Sequence, residues 1–350
     1  MVGALAFAVP GALDTPTGGY AYDRRMIAEL TRLGWRVEVV DLGGEFPRPS
    51  AGARAAARAK LAAVPPATPI VIDGLAFGVL ADVAVALSPT HRLVALVHHP
   101  LALESGLTNE EAQALRASER AALAEAAHTI TTSRAVARVL TSDYAVPPER
   151  VTVAPPGTDK ASPARGAADG TVALLAVGAV VPRKGYDVLI AALGELDDLP
   201  WRLTIAGDRT RDPATADRLA GAIARRSLSA RVTLAGAVSA ECLEALYAGA
   251  DLFVLSSRYE GYGMGFAEAI AHGLPVIGTD VGALPETVPA GTGLLVPPDD
   301  APALAAALRR LIGDADERGQ LAAAARAAAA RLPTWADSAA RFARAIEAVR

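Results

Sequence analysis

The sequence predicts an α/β protein built from two doubly wound parallel-sheet domains, and three observations carry that expectation. Apolar runs bounded by Gly and Pro alternate with helix-period segments along both halves of the chain. Between the halves, residues 155–170, PPGTDKASPARGAADG, are short of core residues and rich in Pro, Gly and small polar residues, which marks a linker. The length of 350 residues exceeds what one hydrophobic core usually holds. A composition of 52% hydrophobic and 21% charged residues supports sizeable cores and excludes a disordered chain. The formal net charge of -4 leaves no basic footprint, so there is no electrostatic case for nucleic acid as a partner.

The elements follow in order. Residues 2–9 read as a buried strand, PGALDTPTGGY as a loop, residues 20–33 as a helix ended by Gly34, and WRVEVVD, 35–41, as a second strand. This βαβ opening predicts a parallel sheet. The first residues are apolar enough to suggest a leader, but no Lys or Arg precedes Arg24 and Pro10 breaks the run, so a strand is the better reading. Gly18 and Gly19 stand where this strand meets its helix, either as a tight turn or as a place where the backbone approaches a phosphate or sugar. The beat continues with a helix at 52–63, a strand at 70–73, a helix at 78–86 and a strand at 92–98. That last strand ends in His98 and His99. Adjacent residues cannot face the same way, so one histidine is expected in a ligand cleft and the other satisfied structurally. Thr108 and Glu111 form a capping box that opens a helix running to about residue 127. A strand at 128–133, a helix at 133–144 and a strand at 151–154 complete the first half.

The second half repeats the pattern, with strands at 172–177, 201–206, 231–234, 251–255, 275–278 and 293–296 and helices between them. The Ala-rich remainder from residue 300 is expected to be helical, and Pro333 separates a final helix at 336–349. The lone Cys242 excludes an internal disulfide framework and is expected to be a buried small hydrophobe on a helical face. With no run of 18 uninterrupted apolar residues, a membrane span is not expected and the compartment reads as reducing and cytoplasmic. Residues 1–157 carry 14 Lys plus Arg against 15 Asp plus Glu, so any membrane contact is expected to be weak and peripheral.

Chemistry concentrates in two loops. GAVVPRKG, 178–185, places Arg183 and Lys184 at a strand's carboxyl end before a helix, where phosphates bind; a solvated basic pair is the bland reading. It is not a P-loop, because Lys184 precedes Gly185 and no Ser or Thr follows. YEGYGMGFAE, 259–268, carries Glu260 and Glu268 across a glycine turn whose backbone N–H groups suit an anion. GYGMG, 261–265, lacks the spacing of a dinucleotide fingerprint. The two carboxylates suit a general acid and base, metal ligands or acceptors for sugar hydroxyls. No Asp-x-Asp pair lies nearby to complete a divalent metal site, so hydroxyl acceptance leads.

Glu260 and Glu268 with the intervening GYGMGFA, the following GLPVIGTDVGALPE, the upstream VGAVVPRKG and the early TGG loop together resemble the retaining glycosyltransferases of family 4, with the GT-B fold. The resemblance implies metal-independent transfer of a hexose from a nucleotide diphosphate sugar, a co-substrate and not a cofactor, to an acceptor hydroxyl. It implies an acceptor-binding domain at 1–157, a linker at 158–170, a donor domain at 171–332 and a last helix, 333–350, packing back on the first domain. Lys184 and Arg183 would neutralise the diphosphate, and Glu268 would hold the donor ribose. Glu260 would contact the donor sugar, with Gly261, Gly263, Met264 and Gly265 around the leaving phosphate. His98 would lie near the donor sugar, and Gly18 with Gly19 would approach the donor from the opposite wall of an interdomain cleft. The catalytic set would thus be His98, Glu260 and Lys184. The donor would be a UDP- or GDP-sugar and the acceptor a small molecule, a glycan or a lipid-linked sugar at the inner membrane face. One position departs from the family pattern: Ala179 stands where an Arg is common, so Arg183 is expected to supply the second charge. A nucleotide-sugar epimerase and a catalytically silent nucleotide-sugar-binding protein are the competing readings.

Overall fold

The computed structural model describes residues 3–349. The chain forms two compact units, Met1–Gly157 with Pro333–Arg350, and Thr158–Leu332. Val2, where the first strand was expected to begin, lies outside the described residues.

Unit 1 runs β1 (Ala4–Val9), α1 (Gly18–Arg32), β2 (Arg36–Asp41), α2 (Ala51–Ala62), β3 (Ile70–Asp73), α3 (Gly74–Phe77), α4 (Ala81–Leu87), β4 (Leu93–Val97), α5 (Asn109–Ala124), β5 (His128–Thr131), α6 (Arg134–Asp143) and β6 (Val151–Val153). All pairings are parallel, in the order β2-β1-β3-β4-β5-β6. β3 and β4 are buried along their whole length, as apolar runs covered by helices on both faces should be, and β5 is buried as well although its sequence is HTIT. Side chains close the helix starts. Thr17 accepts from Tyr20 N, and Thr108 and Glu111 make the reciprocal capping box at 3.2 and 2.8 Å.

The helix expected at 78–86 is two pieces, α3 and α4. Asp73 caps the backbone of Leu75 at 2.7 Å and starts a helix at once after β3, and the chain turns at Gly78 before α4 begins. The last helix of the chain, α14 (below), belongs to this unit. It stacks Phe342 on Phe7, tilts Trp335 against Tyr22 and bonds Ser338 Oγ to the Pro155 carbonyl. Gly157 passes so close to Trp335 that a Cβ there would overlap its backbone nitrogen.

Unit 2 runs β7 (Val172–Val177), α7 (Tyr186–Leu193), β8 (Trp201–Ala206), α8 (Pro213–Arg225), β9 (Val232–Gly236), α9 (Ala240–Ala248), β10 (Leu252–Val254), α10 (Met264–Ala271), β11 (Val276–Thr279), α11 (Leu284–Thr287), β12 (Gly293–Val296), α12 (Ala301–Gly313) and α13 (Ala315–Ala329); α14 is Trp335–Glu347. Its six parallel strands are ordered β12-β11-β10-β7-β8-β9. Residues 155–170 form no regular element, yet Ala164 N bonds to His272 O, Arg165 N to Ala248 O and Ala167 N to the Asp251 carboxylate, so much of this segment is laid against the rest of unit 2. Cys242 is exposed and not buried. Ser239 caps α9 by accepting from Cys242 N, which puts the thiol in the first turn, while the buried side of the helix is set by Tyr247, five residues on and on another face. No helix among the described residues is long and apolar enough to cross a membrane.

Candidate functional site

In doubly wound sheets, ligands bind beyond the carboxyl ends of the strands where the strand order reverses. In unit 2 that point lies between β7 and β10, and the loops leaving these two strands carry the sequence's basic pair and its glycine turn. After β7, residues Pro182–Lys184 make a single 3-10 turn closed by Gly185 at φ 64°. A side chain there would be strained and its Cβ would run into the Ser256 carbonyl, so the turn lies flat on the segment that follows β10. Lys184 Nζ donates to Glu260 Oε1 at 2.5 Å, Ser257 Oγ donates to the same oxygen at 2.6 Å, and Arg183 stands 3.7 Å from Oε2. Arg183 also donates to the Tyr259 carbonyl at 2.9 Å, so it shares the cluster with Lys184 despite Ala179. Glu260 is only 5% exposed. Burial works against its charge, but Lys184, Arg183 and Ser257 outweigh that and hold the carboxyl below its ordinary range.

The backbone around Glu260 is fixed from the next strand. Ala283 N donates to the Glu260 carbonyl at 2.9 Å, Thr287 Oγ1 to the Tyr262 carbonyl at 2.5 Å and Thr279 Oγ1 to the Ser257 carbonyl. Gly261 is buried in this loop. Gly263, at φ 93°, ends the loop and caps α10, whose first residues are Met264 and Gly265. The N–H groups of a helix's first turn lack intrahelical acceptors and carry the positive end of its dipole. One turn further along α10, Glu268 accepts from Tyr247 Oη at 2.8 Å. Burial raises Glu268 to about 7, against the Tyr247 hydrogen bond and with a smaller push from Asp159.

In unit 1 the order reverses between β1 and β3. Asp73 ends β3, His98 follows β4, and Asp23 lies on the inner side of α1, fully buried. His98 Nε2 sits 3.1 Å from Asp23 Oδ1 and 3.2 Å from Asp73 Oδ2, and the ring meets Tyr22 edge-on. Nε2 therefore carries a proton shared between two carboxylates. Burial opposes a charge on His98, but the two acids outweigh it and lift its pKa well above the ordinary value. Burial lifts Asp23 as well, against the pull of the imidazole. Gly19 packs beside this ring; a Cβ on it would stand 3.4 Å from His98 Cδ2. Gly18 opens α1. His99 pairs instead with Glu104 at 3.4 Å. Asp23, Asp73 and His98 are also the one trio among the described residues whose ligand atoms all lie within 4.8 Å, although the imidazole proton already occupies the space between the acids.

The sequence-predicted residues thus fall into two groups, Gly18, Gly19 and His98 in unit 1, and Arg183, Lys184, Glu260, Gly261, Gly263, Met264, Gly265 and Glu268 in unit 2. Sequence reasoning missed Asp23, Asp73, Ser257 and Tyr247. Asp73 had a legible signal, an acid closing an all-apolar strand; Asp23 and Tyr247 read as ordinary helix residues.

Two family models match the chain, one described as Glycosyltransferase Family 4 over residues 18–162 and one as Glycosyl transferases group 1 over residues 171–314. The D-inositol 3-phosphate glycosyltransferase of Nocardia farcinica is 33% identical over 237 residues, 63% of this chain and 52% of that protein. The MMP alpha-(1->4)-mannosyltransferase of Mycolicibacterium hassiacum is 30% identical over 266 residues, 71% of this chain and 63% of that protein. The chain spans about half the length of the D-inositol 3-phosphate relatives it matches. Among solved structures, sucrose-phosphate synthase from Thermosynechococcus elongatus has a TM-score of 0.82 at 23% identity, and Anabaena HepE in complex with UDP-glucose has 0.79 at 20%, each covering 99% of both chains. These likenesses show the GT-B fold. With one family model matched in each half and six parallel strands in each unit, the chain belongs to the group 1 glycosyltransferases of family 4.

Proposed function

We propose that the chain is a retaining hexosyltransferase that moves a sugar from a UDP- or GDP-sugar to an acceptor hydroxyl without a metal ion. The observation that carries this reading is the unit 2 cluster, in which Lys184 and Arg183 converge on buried Glu260 beside the N-terminus of α10. Two fixed cations and a helix start supply the charge that a departing diphosphate needs, in place before the reaction begins. Both oxygens of Glu260 face cations or a hydroxyl donor and its pKa is held low, so it accepts hydrogen bonds from sugar hydroxyls and is a poor proton carrier. Glu268, oriented by Tyr247, holds the ribose.

In unit 1, His98 commits Nε2 to the two aspartates and keeps Nδ1 for a hydroxyl of the transferred sugar. The bond from the sugar to the diphosphate oxygen breaks as the acceptor oxygen bonds on the same face, and the acceptor proton passes to the departing phosphate oxygen. No protein base is needed. The acceptor is a small molecule, a glycan or a lipid-linked sugar chosen by the unit 1 loops at 10–19, 43–50 and 100–109, and we place the activity in the cytoplasm or at the inner membrane face. HepE, solved with UDP-glucose, supports a nucleotide-sugar donor. Calorimetric titration with UDP, GDP and ADP, followed by transfer assays with the matching sugars in EDTA, tests the proposal. Micromolar binding of one diphosphate and transfer undiminished by EDTA are expected; no diphosphate bound in that range would sink it.

A further inference from the structure

Arg258 stands in the stretch between β10 and Glu260. Its side chain is three-quarters buried, with 25% exposure, and its guanidinium joins three loops at the carboxyl edge of the unit 2 sheet. Nε donates to Asp299 Oδ1 at 2.7 Å, in the loop between β12 and α12. Nη1 donates to the Pro182 carbonyl at 2.6 Å, and Nη1 with Nη2 grips both carboxylate oxygens of Asp187 at 3.1 and 2.8 Å. The Arg258 backbone N–H adds a bond to the Arg183 carbonyl at 2.7 Å. Asp299 itself sits at φ 55°, a left-handed conformation that a non-glycine residue adopts at a cost, and its bond to Arg258 helps to hold it there.

We propose that Arg258 is a positioning residue that clamps the Pro182–Gly185 turn and so fixes where Arg183 and Lys184 present their charges; the inference rests on the donor role proposed above for those two cations. The Pro182–Gly185 turn is short. It is one 3-10 turn long and contributes no buried residue of its own to the core. Its attachments include the Ser256 hydroxyl on the Gly185 carbonyl, the Arg183 and Lys184 side chains, the first backbone bonds of α7 to Gly185, and the contacts made by Arg258. Asp187, in the first turn of α7, completes the clamp. Burial disfavours its charge, yet the guanidinium keeps the carboxyl below its ordinary range, so the pair stays ionised. The planar fork is what makes the arrangement work, since it meets a carbonyl, a bidentate carboxylate and a second carboxylate at once, which an ammonium cannot do.

The test compares the wild-type chain with Arg258→Ala, Arg258→Lys and a control, Arg309→Ala, which removes a similar bidentate pair with Asp198 on the outside of the same unit. Two readouts are taken on each: amide hydrogen exchange over residues 180–187, and calorimetric affinity for UDP and GDP. Arg258→Ala is expected to exchange faster over this stretch with its melting point close to that of wild type, and to lose about tenfold or more in affinity, the usual cost of weakening one charge-assisted contact. Arg258→Lys should fail in the same direction, and Arg309→Ala should match wild type in both. Unchanged exchange over 180–187 in Arg258→Ala, or wild-type affinity in Arg258→Lys, would overturn the clamp. Should Arg258→Ala not fold, Arg258→Lys and Asp299→Asn carry the same two readouts. If wild type binds no nucleoside diphosphate, the donor reading falls while hydrogen exchange still decides for or against the clamp.

Discussion

At the switch point of unit 2 two cations surround one buried carboxylate, whereas at that of unit 1 two buried carboxylates surround one imidazole. The scaffolds are alike: six parallel strands each, with the ligand-facing loops leaving the strands on either side of a reversal in order. The charge pattern is inverted. The topology therefore says where a site can form, and the residues at a few strand ends decide what it attracts. In unit 2 the excess positive charge is held by backbone-anchored loops and suits an anionic donor. In unit 1 the two acids hold His98 as an oriented ring and offset its charge locally.

The largest expected effect comes from breaking the unit 2 pattern. On the proposed donor role, Lys184→Ala would remove a contact to the leaving diphosphate and should lower transfer by about a hundredfold or more. It also strips Glu260 of its nearest cation, and a buried carboxylate that loses its partner destabilises a fold by roughly 3 kcal/mol. Arg183, at 3.7 Å, softens that loss. Adding Glu260→Gln to Lys184→Ala should restore the melting temperature but not transfer; recovery of both would mean the cluster is structural.

The unit 1 pattern should break differently. Asp73→Asn leaves the strand end in place but weakens the charged hydrogen bond to His98, worth about 1.5–3 kcal/mol, so transfer should fall by roughly ten- to a hundredfold while UDP or GDP affinity stays at the wild-type level. His98→Ala should do at least as much. A parallel drop in nucleoside diphosphate affinity would erase the division of labour drawn here.

Glu268 sharpens the comparison through pH. Burial raises its folded pKa from 4.5 to about 7, so between those values the folded protein keeps a proton that the unfolded chain releases. Its contribution to stability is full below the lower value, declines as pH rises through the window and levels off above it. Glu268→Gln should flatten that slope and melt higher than wild type at pH 8. If the carboxylate holds the ribose, wild-type affinity should fall as pH drops below about 7 more steeply than that of Glu268→Gln. Identical affinity profiles would remove Glu268 from the donor site.

Much of this was legible in the sequence. The strands at 70–73, 172–177, 201–206 and 293–296 match the structure residue for residue, because apolar runs bounded by Gly and Pro leave little choice of register. The glycine turn with Glu260 and the Arg183–Lys184 pair were visible because their chemistry is local. Asp23 was not. An acid on a helix looks the same in sequence whether it faces water or a histidine 75 positions away, and only the fold tells which. Cys242 failed for the related reason that a short helix with one buried residue has no periodicity strong enough to show its inner face. Gly78 looked like the start of a helix and proved to be a stop, since Asp73 had already capped one five residues earlier.

The meeting of Gly157 with Trp335 also orders events in time. Unit 2 is an insertion: the chain leaves unit 1 after Gly157, completes the whole of residues 158–332 and then returns. Phe342 is fully buried and stacks on Phe7, near the other end of the chain. During synthesis, unit 2 is thus complete and free to fold while unit 1 still lacks the helix that covers β1 and α1. The residues of β1, made before unit 2, are among the last to find their permanent neighbours.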